Sequence, residues 1–114
     1  MFVGVEILLK ENWKDAEMIV KEHYKEKGYT ALNQNDRGFP DLIVLKDGKV
    51  SFFVEVKAMQ EPDINLSEIQ YHQYLESLGF KVKCINVRDG NPEPFQPDPE
   101  WAKAVRETYQ PFEG

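Results

Sequence analysis

Cysteine and histidine are nearly absent from this 114-residue chain, which holds one of the first and two of the second. A lone Cys84 cannot form an intramolecular disulfide. Its setting, Val82-Lys83-Cys84-Ile85, reads as a small buried hydrophobe in a strand rather than a nucleophile. His23 is expected as a flank residue of one helix and His72 as an exposed residue of another. No Ser-His-Asp, Cys-His or zinc-ligand spacing occurs, and no glycine-rich phosphate loop. No apolar run approaches the ~20 residues of a membrane span. Met1 to Leu9 contains Glu6 and lacks the basic start of a signal peptide. These absences point to a reducing cytoplasm. The length suits one core and is short for two, and there are no internal repeats.

A surplus of positive charge is also missing. The formal net charge is −6, whereas a nucleic-acid binder usually carries a basic footprint. The deficit is uneven. Residues 89–114 hold six acids and two bases, a balance of −4, which leaves −2 for residues 1–88. The body is therefore close to neutral, and acids that hold a cation would be offset by it.

What is present is a patterned stretch from Gly38 to Lys57. Two apolar runs, Leu42 to Leu45 and Val50 to Val56, flank Asp47-Gly48, a dipeptide suited to the φ > 0 turn of a tight hairpin. Asp41 stands at the mouth of the first run, Glu55 near the end of the second, and Lys57 two residues on. Strand side chains alternate, so Glu55 and Lys57 share a face while Val54 and Val56 point the other way. A carboxylate and an ammonium inside an apolar strand are costly unless paired or holding a metal. Folding back about Asp47-Gly48 sets Asp41 opposite Glu55. The two carboxylates and the Val56 carbonyl would then converge as the oxygen-rich shell that Mg²⁺ prefers. The competing reading is a Glu-Lys ladder on a solvated sheet face.

Around this hairpin, Met1 to Lys10 is β-branched enough for an extra strand or a lead-in to the first helix. Asn12 to Lys27 reads as a helix with Gly28 as its stop, presenting Trp13, Ala16, Val20 and Tyr24 inward. Glu17 lies on or beside that stripe, either aimed at something or reaching to water. Tyr29 to Leu32 is a short strand. Asn33 to Gly38 is a polar loop in which Arg37 is the one base, a candidate phosphate contact. Pro40 fixes the backbone that delivers Asp41. Leu66 to Leu78 reads as a second helix, with Ser67 and Gln70 as a capping box and Leu66 with Tyr71 as a hydrophobic staple. Phe80 to Val87 is a final strand. Asp89 to Pro97 reads as a stiff, proline-rich linker, and Asp98-Pro99 opens a short helix to Tyr109 that Trp101 and Val105 would dock. The expected fold is α/β, a small mixed β-sheet flanked by helices, in residues 1–88, with residues 89–114 as linker and C-terminal helix.

Glu17 on the first helix, Pro40-Asp41 and Glu55-Val56-Lys57 together resemble the PD-(D/E)XK nuclease superfamily. Within it, Gly38-Phe39-Pro40-Asp41-Leu42, Phe53-Val54-Glu55-Val56-Lys57 and Leu66-Ser67-Glu68-Ile69-Gln70 look like the virus-type replication-repair nuclease (VRR-NUC) domain, similar in plan to archaeal Holliday junction resolvases. The likeness spans about residues 11–88. It implies a restriction-endonuclease-like core and a metal-dependent endonuclease acting on DNA, structure-specific toward junctions, flaps or branches. Asp41 and Glu55 would bind Mg²⁺ or Mn²⁺ with the Val56 carbonyl, and Glu17 would reach the metal directly or through water. Lys57 would position or help deprotonate the attacking water, and Gln70 would lie near the site. Holding a branched substrate would call for a homodimer or a repair or replication assembly, with Phe2 to Leu9 as the contact surface. The alternative from another class is a non-catalytic nuclease-fold module that binds nucleic acid or protein partners. A third is a plain interaction domain.

Overall fold

The computed structural model describes residues 13–97. The suggested strand or lead-in at residues 1–10, Asn12 at the start of the first helix and the helix after Asp98 lie outside the described residues. Within them the chain runs α1 (Trp13–Glu26), β1 (Thr30–Asn33), β2 (Leu42–Lys46), β3 (Lys49–Lys57), α2 (Leu66–Ser77), β4 (Val82–Arg88) and β5 (Asn91–Pro94). The strands form one mixed sheet in the order β1-β2-β3-β4-β5. Only β3 and β4 pair in parallel, because α2 intervenes as the crossover that parallel neighbours require. The expected α/β sheet with flanking helices is therefore the fold.

Alternation along β3 splits the molecule into layers. Val54 and Val56 join Leu42, Val44, Phe52, Ile85 and Val87 under Ala16, Val20 and Tyr24 of α1. Phe53, Glu55 and Lys57 face the other side, where α2 meets them. A smaller apolar cluster of Ile64 and Ile69, with Cys84 and Phe95 against it, fills that side. No helix among the described residues is long and apolar enough to cross a membrane.

The β2–β3 hairpin turns at Asp47 (φ 54°) and Gly48 (φ 76°), the doubly left-handed turn that matches strand twist. Its register is Leu42↔Val54, Ile43↔Phe53 and Val44↔Phe52, with a shift beyond Val44 before Leu45↔Val50. One step outward, that register sets Asp41 opposite Glu55, as the fold-back about Asp47-Gly48 requires.

The proline-rich linker expected at Asp89–Pro97 is instead largely sheet. Asp89 (φ 52°) and Gly90 (φ 76°) repeat the same turn, and β5 pairs antiparallel with β4. Phe95 N donates to Cys84 O at 3.0 Å. Alternation therefore turns the nitrogens of Pro92 and Pro94 outward, where a missing donor costs the ladder nothing. The prolines mark an edge strand.

Candidate functional site: a carboxylate pair on the α2 face

Asp41 reaches the sheet through a closed loop. Gln34 N donates to Asp41 O at 2.8 Å and Phe39 N to Asp36 O at 3.2 Å, while Pro40 is fully buried. The Asp41 side chain then turns inward, and its Oδ2 accepts the Val56 N–H at 2.7 Å. Beside it, Glu55 is 2% exposed. Burial, then the Asp41 charge and hydrogen bond, then the Glu68 charge push the Glu55 carboxyl up to about 10, with Lys57 opposing. Burial and the neighbouring Asp41 carboxylate favour the protonated form of Glu55, and the Lys57 ammonium favours the ionised one.

The other contacts come from α2. Glu55 Oε1 lies 2.9 Å from His72 Nε2, and Lys57 Nζ pairs with Glu68 Oε2 at 2.6 Å. The second Glu68 oxygen accepts Asn65 N at 2.8 Å, and Asn65 Oδ1 accepts Glu68 N at 2.9 Å. That is the capping box of α2, and it corrects the expected Ser67–Gln70 box. Asn65 has the extended backbone of an N-cap, and the flanking staple is Ile64 with Ile69, which share a cluster. His72, expected on the surface, is buried.

These groups open onto a cleft of about 360 Å³ lined by Asp41, Glu55, Val56, Lys57, Ala58, Met59 and Glu68. Its far wall is pinned by Asn86, which is 2% exposed and brackets Met59 through its N–H and carbonyl, both at 2.9 Å. Arg88 holds Gln60 O at 2.6 Å. Cys84, half-buried beside Glu55 in the β3–β4 register, has its thiol pushed up to about 12 by burial, Glu55 and Glu68. It is no nucleophile at neutral pH.

The chain matches no family model, no curated protein and no solved structure. Nothing outside its own residues identifies a VRR-NUC domain, so assignment of the site rests on its chemistry.

Asp41, Glu55, Val56 and Lys57 line one cleft. Glu17 is not in the cleft. It is buried on the α1 side, where Asn33 Nδ2 donates to its Oε1 at 2.9 Å and Lys21 in turn donates to Asn33 Oδ1 at 2.6 Å. Gln70 lines a separate cleft of about 210 Å³ with Ser67, Tyr71 and Tyr74. Arg37 is exposed on the loop. Sequence reasoning missed His72, Glu68 and Asn86. His72 had a signal, because it sits three residues after Ile69 and three before Leu75 on the buried stripe of α2.

The described residues hold no group of three or more His, Cys, Asp or Glu side chains arranged to bind a metal ion. Mg²⁺ does not require one. It typically takes one or two carboxylates and completes its shell with water and substrate phosphate. Asp41 and Glu55 each keep one oxygen beyond the contacts to Val56 and His72, and both carboxyls line the same cleft. The donor set fits.

Proposed function

We propose that this protein is a Mg²⁺- or Mn²⁺-dependent phosphodiesterase, a DNA endonuclease of the PD-(D/E)XK type acting on branched or otherwise structured DNA. The observation that supports it most is the Asp41–Glu55 pair, one acid at the end of the loop that enters β2 and one on β3, hydrogen-bonded to each other, with an ammonium two residues along the same face of β3.

A bound cation would polarise the phosphodiester and lower the pKa of a water. The chain's own residues do the rest. Asp41 and Glu55 supply the anionic oxygens, with Asp41 fixed against the Val56 amide. The Lys57 ammonium, anchored by Glu68, stands at the cleft to hold a phosphate oxygen or orient the attacking water. No histidine or covalent nucleophile is needed, which suits a chain whose one thiol is held protonated. A second reading, a module that binds nucleic acid or protein without cutting, is favoured by the engagement of both Glu55 and Lys57 by α2.

The test is incubation with a panel of branched and linear DNAs in Mg²⁺ or Mn²⁺. Wild type is expected to yield cleavage products that chelation abolishes, and Asp41→Asn, Glu55→Gln and Lys57→Ala to lower the rate by at least about 100-fold with the fold intact. Undiminished cutting by any of the three contradicts the site. Binding without cutting supports the second reading.

A further inference from the structure

We infer that His72 is a positioning residue for the cation site, holding the Glu55 carboxyl so that its second oxygen points to the place shared with Asp41. This deepens the cation reading and rests on it. The contact is not incidental to helix docking. Glu55 meets His72 while Lys57 meets Glu68, so α2 runs back along β3 with two polar pairs in step. Two residues of strand advance about 6.6 Å and four residues of helix about 6.0 Å. A slip of one residue along either element would break both pairs together. The match fixes where the imidazole can stand.

Stability alone does not call for this choice. Buried ionic and polar pairs are often no better than well-packed apolar residues of similar volume, and Ile69 and Leu75 on the same stripe dock α2 by apolar packing. What a buried hydrogen-bonding ring adds is orientation. The His72 side chain is only 8% exposed and that of Glu55 only 3%, so water does not substitute for the contact. His72 takes Oε1, Val56 takes Asp41 Oδ2, and the two remaining oxygens belong to carboxyls whose rotation is stopped. A partner that fixes a ligand carboxylate from behind typically changes metal affinity by about 10–100-fold.

The test is Mn²⁺ titration calorimetry on the full chain, in wild type, His72→Leu, His72→Gln and Leu75→Ala, at a temperature where circular dichroism shows each folded. His72→Leu fills the space without a hydrogen bond and is expected to weaken Mn²⁺ binding about 10–100-fold. His72→Gln offers an amide to Glu55 and should recover most of that loss. Leu75→Ala should lower the melting temperature and leave the affinity within about 3-fold. If His72→Leu does not fold, His72→Ala takes its place. Wild-type affinity in the histidine variant, or an equal loss in Leu75→Ala, overturns the inference. Absence of Mn²⁺ binding by wild type overturns the cation reading first and this inference with it.

Discussion

At Glu55 a carboxyl that ionises at 4.5 in an unfolded chain is pushed to about 10 by burial and by Asp41. The folded state keeps a proton that the unfolded state releases. Its contribution to stability is therefore full below about pH 4.5 and is lost as pH rises toward 10. Asp41 from the loop, Glu68 and His72 from α2, Lys57 from β3 and Cys84 from β4 face the same group. Urea unfolding in chelator across this window should show stability falling with pH, by at most about 1.4 kcal/mol per unit for one proton. Glu55→Gln should flatten that slope, and a wild-type curve already flat would contradict the burial of an acid pair. Asp41, Glu55 and Lys57 were legible because strand alternation and one turn dipeptide fix both face and register. His72 was only half legible, since its spacing from Ile69 and Leu75 puts it on the buried stripe while its partner lies seventeen residues away on β3.

At the scale of elements, two local signals competed for the start of α2. Ser67-x-x-Gln70 and Asn65-x-x-Glu68 both fit a capping box, and the second prevails because Glu68 also pairs with Lys57 of β3 on the face that α2 covers. Asn65→Ala should cost about 1 kcal/mol in chemical denaturation, whereas Ser67→Ala should stay within about 0.5 kcal/mol. Equal losses would contradict the cap assignment. The hairpins teach the same lesson. Asp47-Gly48 and Asp89-Gly90 carry one turn signature, yet only the first lies between two apolar runs. Pro92 and Pro94 suggest a linker until the register shows that their nitrogens face outward. An edge position cannot be told from a linker without knowing which strand lies alongside.

At the largest scale, the two helices among the described residues sandwich a five-stranded sheet and divide the labour. The α1 face is the apolar core, and the α2 face carries the acids, the lysine and the histidine. Glu17 illustrates why the division was not wholly legible. Helical spacing placed it near the buried stripe, and it is buried, but which sheet face α1 covers is a property of the assembled fold. Asn33 donates to it there. The central claim, that Asp41 and Glu55 share a divalent cation in the service of phosphodiester hydrolysis, is met most directly by anomalous diffraction at the manganese edge from a crystal equilibrated with Mn²⁺. The account predicts a peak within coordination distance of both carboxylates, and none in Asp41→Asn. No peak there in the wild type would contradict it.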